Sequence, residues 1–168
     1  MLTIDSQIWI YYFDANAKEN ANVANWFEGK NQDGILFTEK IVLSSIIPIE
    51  VAHNLFKISQ IDRNEIEDLI ISLISLDHCQ LIEINQTLIF EALSALKKYS
   101  PMGIGGRDAL IIATMEICQI KTIATHDKNL LSLKELKRID PIFDPPMEIN
   151  PGEDFDSEKF KIRVREQL

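Results

Sequence analysis

Four acidic residues stand apart from the rest of this chain. Asp5, Glu50, Asp108 and Asp127 each sit at the end of an apolar stretch or one turn into one. Most of the 26 acids keep polar company, such as Glu65, Glu67 and Asp68, and read as solvated faces. Separations of 45, 58 and 19 residues give the four no local reason to be neighbours. If the fold gathers them, a pair about 4 Å apart repels by on the order of 1 kcal/mol in water and about 4 kcal/mol at an effective dielectric near 20. A cation must relieve that repulsion, and hard oxygen ligands with no histidine or cysteine partner suit Mg²⁺ or Mn²⁺ better than Zn²⁺. Each acid alone has a plainer use: Asp108 as a helix cap, Asp127 at the start of a turn, Glu50 facing solvent. Four such acids at one edge of a fold favour a site.

The elements that must position them follow from periodicity. Leu2-Thr3-Ile4 is a short buried strand ending at Asp5, and Asp5 or Ser6 caps a helix through Tyr12. A helix over residues 19–28 carries Val23, Trp26 and Phe27 and ends in turn residues at 31–34. Ile41-Val42-Leu43 is the next strand, and Ser44 or Ser45 caps a helix in which Pro48 must lie in the first turn. Ile66, Leu69, Ile70, Leu73 and Ile74 mark an amphipathic helix over 62–76. Strands at 81–84 and 122–125 and helices at 87–99 and 109–118 complete the alternation. Such alternation predicts an α/β fold, a central parallel sheet flanked by helices on both faces. Ligands of these sheets bind at the carboxyl ends of the strands, where the four acids fall.

Bulk properties bound the rest. The chain has 168 residues, 46% hydrophobic and 26% charged, which describes one globular domain able to bury its own core. Its net charge of −9 argues against holding nucleic acid by overall field, but carboxylates around a cation invert the field locally, so a nuclease stays open. Cys79 and Cys118 lack metal or disulfide spacing and read as small hydrophobes. Neither a long apolar run nor a signal-peptide pattern is present, which predicts a cytoplasmic protein with no membrane partner. Prolines at 141, 145, 146 and 151 punctuate an irregular segment before the charged residues 153–168. There Phe160, Ile162 and Val164 alternate with Lys159, Lys161, Arg163 and Arg165, which predicts a docking strand or arm, or else a solvated tail.

With these pieces in order, the chain resembles the PIN domain family, the fold of many VapC toxins of toxin–antitoxin pairs and of other metal-dependent endoribonucleases. The resemblance runs from Leu2 to about Asp144 through DSQIWI at 5–10, SSIIPIEVAHNL at 44–55, RDALIIAT at 107–114 and THDKNL at 125–130. Gln7, Leu130 and Pro48 depart from the family's usual residues. The resemblance implies a PIN-like nuclease domain over 1–150 and a charged C-terminal extension over 151–168. It implies that Asp5, Glu50, Asp108 and Asp127 bind Mg²⁺ or Mn²⁺ and catalyse hydrolysis of RNA phosphodiester bonds, leaving a 5′-phosphate and a 3′-hydroxyl. Ser6, Ser45 and Thr125 then become supporting or substrate-phosphate contacts. Arg107 beside Asp108 and Lys128 beside Asp127 are the candidate cations facing RNA, or else solvated surface residues.

A toxin of the VapBC type is the expected function, with a cognate antitoxin that docks on an apolar groove and with a homodimeric assembly. Trp9, Tyr11, Tyr12, Trp26 and Phe27 serve either that assembly or the core. A free-standing RNA-processing nuclease and a silent module that binds RNA or protein are the alternatives. A response-regulator receiver fits less well, because Asp5 lacks the adjacent acid that such domains carry after the first strand. His126 has a useful intrinsic pKa, but neighbours in extended chain point opposite ways, so it and Asp127 should not share a site. The glycines at 103, 105 and 106 lack the Lys-Ser/Thr of a phosphate-binding loop and read as a mobile loop before the helix.

Overall fold

The computed structural model describes residues 1–58 and 61–167. Strand β1 (Thr3–Ile4) runs into helix α1 (Ser6–Phe13), followed by α2 (Asn20–Glu28) and the short α3 (Ile35–Thr38). Next come β2 (Ile41–Ser44), α4 (Ile46–Ile58), α5 (Arg63–Ile74), β3 (Cys79–Ile82) and α6 (Gln86–Tyr99). A 3-10 turn at Ser100–Met102 leads to α7 (Gly106–Ile117), β4 (Thr122–Ala124) and α8 (Lys128–Leu131). The chain closes with β5 (Lys137–Asp140), β6 (Met147–Ile149) and α9 (Ser157–Gln167).

Strands β1, β4 and β5 pair in parallel, with β6 antiparallel to β5 at the edge. β2 and β3 form a second parallel pair. A bridge between Leu2 and Ile41 joins the two, so the strands follow the order β3-β2-β1-β4-β5-β6. The connection leaving β1 goes to β2 on one side, whereas β4 lies on the other. The boundary between β1 and β4 is therefore the switch point at which a doubly wound sheet opens a crevice.

Strands β1, β2 and β4 are largely apolar because helices cover them: Ile4, Val42, Leu43, Ile123 and Ala124 have negligible exposure. Ile8, Ile47, Val51, Leu55, Ile111, Ile112 and Met115 bring the buried helix faces onto them. Trp9 and Phe27 belong to this core, with ring centroids 4.6 Å apart, which settles their use as packing. The exposed apolar side chains are others, among them Ile49, Phe56, Ile89, Phe90 and Leu93.

Several boundaries differ from expectation. Helix α7 begins three residues before Ala109, because Gly105 supplies the extended cap and Asp108 the side chain that completes it. β3 lies two residues earlier than the strand expected at 81–84, in parallel register with β2. Within the segment 153–168, Ser157–Gln167 form a helix after four irregular residues, Leu168 lying outside the described residues. Asp156 Oδ1 accepts from the backbone N–H groups of Glu158 and Lys159, a helix cap that overrides the period-two alternation. Phe160 is buried against Phe143, Phe155 and His126, so this helix docks on its own domain. Gly103 takes the left-handed conformation (φ 87°) that ends the 3-10 turn, and Asn129 Nδ2 donates to its carbonyl at 3.2 Å.

Candidate functional site

Asp5 leaves the end of β1 beside the end of β4, at the switch point. Its backbone N–H donates to Ala124 O at 2.9 Å, which places Thr125 next to it. Although Asp5 stands at the N-cap of α1, its side chain makes no capping bond. Oδ2 instead accepts from the Thr125 hydroxyl at 2.8 Å, and the Ser6 hydroxyl lies 3.4 Å from Oδ1. Thr125 Oγ1 also accepts from Asp127 N–H at 3.0 Å, so one buried hydroxyl ties the first acid to the fourth.

The other acids come from helix first turns at the same edge. Glu50 is the fifth residue of α4 and lies on its buried face with Ile47 and Val51, while Pro48 stays in the first turn, where no hydrogen bond is lost. Asp108 is the third residue of α7, and its Oδ2 accepts from Gly105 N–H at 3.0 Å. Asp127 caps α8, with Oδ1 accepting from the N–H groups of Asn129 at 2.7 Å and Leu130 at 3.2 Å. Leu130 itself is core. Asp108 and Asp127 thus serve as the cap and turn acceptors foreseen for them, each through one oxygen, and the other oxygen is left over.

All four acids line one open cleft of about 350 Å³, together with Ser6, Gln7, Ile10, Tyr11, Asn54 and Arg107. Arg107 Nη1 lies 2.6 Å from Glu50 Oε1. Burial pushes the Asp5 carboxyl up to about 6; the Thr125 hydrogen bond opposes this, and the charges of Asp108, Glu50 and Asp127 push it further up. Asp108 is also raised, first by burial, with the Gly105 N–H opposing and Asp127 adding to the rise. The charges of three acids therefore reach the fourth. Among the described residues, however, no group of three His, Cys, Asp or Glu side chains is drawn close enough to hold an ion as they stand.

The family model of the PIN domain matches residues 2–136. The chain belongs to the PIN domain family. Solved structures with this fold include Mycobacterium tuberculosis VapC20, a sarcin-ricin loop cleaving toxin, at 12% identity and a TM-score of 0.64, covering 78% of this chain and 94% of that one. A toxin–antitoxin complex from Klebsiella pneumoniae aligns at 17% identity and a TM-score of 0.56, over 84% of this chain and 98% of the other. VapBC2 from Rickettsia felis, bound to a DNA fragment from its promoter, aligns at 16% and 0.56, over 82% and 96%. At these identities the likeness establishes the fold. No match was found among curated proteins.

The PIN cleft does not take in every residue expected there. Ser45 Oγ donates to Ile82 O at 2.7 Å, fastening α4 to β3, and is not among the cleft's lining residues. Lys128 is not among them either; its Nζ lies 5.6 Å from the centre of the Phe160 ring on α9. His126 pairs through Nδ1 with the buried Asp140 Oδ2 at 2.7 Å and stacks on Phe160, outside the cleft. Sequence reasoning missed Gln7, Tyr11 and Asn54. Gln7 Nε2 donates to Tyr11 Oη at 2.7 Å, and Asn54 Nδ2 donates to Glu50 O at 2.8 Å. Helical spacing was the available signal: Tyr11 follows Gln7, and Asn54 follows Glu50, by four residues.

The donor set fits a hard divalent cation. Asp5, Glu50, Asp108 and Asp127 supply only carboxylate oxygens; Glu50, Asp108 and Asp127 each have one oxygen engaged, while Asp5 accepts from Thr125 at Oδ2 and from Ser6 at Oδ1. Glu50 Oε2, Asp108 Oδ1 and Asp127 Oδ2 have no hydrogen-bond partner among the described residues.

Proposed function

We propose that this PIN domain is a Mg²⁺- or Mn²⁺-dependent endoribonuclease and the toxin of a VapBC-type pair. The observation that carries the reading is the gathering of four sequence-distant acids at the switch point, with the charges of the other three raising Asp5. Asp5, Glu50, Asp108 and Asp127 would hold a divalent cation, which would supply the positive charge that activates water for in-line attack on phosphorus. The chain's own groups do the rest. Thr125 orients Asp5 through its hydroxyl, and the helix caps fix Asp108 and Asp127 by one oxygen each. Whichever of Asp108 and Asp127 stands off the cation takes the proton of the attacking water on its uncapped oxygen. Burial holds the Tyr11 phenol up near 12, so it stays a neutral hydrogen-bond donor at the cleft wall. Arg107 meets an RNA phosphate, and Lys128, turned toward α9, meets the strand farther out. The products carry a 5′-phosphate and a 3′-hydroxyl.

An antitoxin partner is supported by the toxin–antitoxin complexes among the structural neighbours. A groove of about 490 Å³ lined by Trp9, Tyr12, Phe13, Leu36, Leu69 and Leu73 suits an apolar peptide of that partner. The exposed Phe90 and Leu93 of α6 suit a homodimer contact. No helix among the described residues is long and apolar enough to cross a membrane; a cytoplasmic site of action belongs to the proposed toxin reading.

The test is cleavage of labelled single-stranded and structured RNAs by the purified chain with Mg²⁺, Mn²⁺ or EDTA, beside Asp108→Asn. Metal-dependent cutting that the substitution abolishes supports the nuclease. A second reading, a PIN module that binds without cutting, draws on the spread of the acids, since no three are drawn together. Binding of RNA without cutting in any metal would favour it.

A further inference from the structure

Arg107 is the one cation among the residues lining the acidic cleft. It is the second residue of α7, directly before Asp108, and its guanidinium reaches across to α4. The Nη1 to Glu50 Oε1 distance is 2.6 Å, short for an ion pair and consistent with a charge-assisted hydrogen bond. The two ends of this pair differ in surroundings: the Arg107 side chain is 69% exposed and that of Glu50 10%. Arg107 can therefore leave without unpacking anything. Glu50 cannot follow it, because α4 holds that side in the core through Ile47, Val51 and Leu55.

We infer that Arg107 is a resident counter-ion that competes with the divalent cation for Glu50, so that cation entry and release of the guanidinium are one exchange. This rests on the metal-dependent reading above. The physical case is charge balance. Without a cation the four carboxylates repel, and Arg107 supplies the positive charge the cleft otherwise lacks. With a cation bound at the free Oε2 of Glu50, a guanidinium held on Oε1 of the same carboxylate would repel the ion and deny it the second oxygen. The exchange resolves both states, and it delivers Arg107 to the cleft mouth as the ion arrives. Arg107 acts here through Glu50, as a positioning residue.

The measurement is Mn²⁺ affinity of the full chain, by calorimetry or by electron paramagnetic resonance of free Mn²⁺, with no RNA present. A half-exposed pair is worth about 1 kcal/mol, so removing the competitor in Arg107→Gln should tighten Mn²⁺ binding about fivefold. Lys128→Gln removes the same charge but touches no cleft carboxylate, and should change affinity less than about twofold. In a Glu50→Gln background the guanidinium has nothing to release, so adding Arg107→Gln should leave affinity unchanged. Unchanged or weaker binding by Arg107→Gln, or equal tightening with and without Glu50, overturns the inference. Wild-type binding that Asp108→Asn weakens keeps the metal reading standing in either case. Absence of Mn²⁺ binding by the wild type overturns that reading and this exchange with it.

Discussion

Asp5→Asn should make the cation-free protein more stable at neutral pH, although it removes a residue of the proposed site. The Asp5 carboxyl is buried and held near 6 in the fold, against an ordinary value of 3.8. Between those two values the folded protein keeps a proton that the unfolded chain has released, so stability falls as pH rises through the window. Above about pH 6 the loss is complete, and the shift corresponds to about 3 kcal/mol. Asparagine has no charge to bury, and its carbonyl still accepts from the Thr125 hydroxyl. The variant should therefore gain up to about 3 kcal/mol at pH 7.5 in EDTA, a rise in Tm of about 6–12 °C for a chain of this size. At pH 4 the folded wild type is neutral at this position and only the partial ionisation of the unfolded chain remains, so the difference should shrink to about 0.5 kcal/mol. Thermal unfolding followed by circular dichroism at the two pH values decides it. Equal Tm values at pH 7.5, or a gain of the same size at pH 4, would refute the account of Asp5 as a group charged against its surroundings.

Saturating Mn²⁺ should narrow or reverse that difference, because only the wild type keeps all four carboxylates to bind the ion; the same melts read it. Thr125→Val removes the hydroxyl that Asp5 and Asp127 share and should cost about 1–3 kcal/mol, read by chemical denaturation in EDTA. Phe160→Ala should cost about 3–5 kcal/mol of the docking of α9, seen as faster proteolytic trimming within residues 153–167 while the rest of the domain stays intact. Arg138→Met should cost about 3 kcal/mol or more in denaturant melts, because the carbonyls of Leu131, Asn150 and Glu153 lose a buried donor together.

Arg138 and the His126–Asp140 pair also mark where sequence reasoning stopped. β5 contributes Arg138, Ile139 and Asp140, all buried, and a strand with charged residues at its buried positions has no periodic signature. The charge of Arg138 is met by backbone carbonyls from the end of α8 and from residues just after β6, partners that only the closed fold brings to it. β6 has three residues, too few for any pattern to register. Residues 157–167 failed differently. Two patterns compete there, since the alternation of Phe160, Ile162 and Val164 has period two while Phe160 and Val164 alone are one helical turn apart. Capping by Asp156 decides for the helix, and an acid directly before Ser-Glu-Lys was a readable sign of it.

The four acids were legible for the opposite reason: each closes or opens an element whose apolar pattern is strong. β1 and β4 are parallel neighbours, so whatever follows Ile4 must stand beside whatever follows Ala124, and Asp5 meets Thr125 by register alone. Asp108 and Asp127 sit where helix N-termini need acceptors, which makes their backbone bonds local and their placement insensitive to distant packing. Glu50 is the exception. Nothing local holds its carboxylate, and the one partner it has, Arg107, comes from a helix 57 residues further along the chain. If a cation binds here, it finds the locally anchored acids in place, whereas at Glu50, whose anchor is an exposed counter-ion, it must first compete. That difference is why the ion-binding behaviour of the cleft should be most sensitive at Arg107 and Glu50, the pair whose contact the sequence did not reveal.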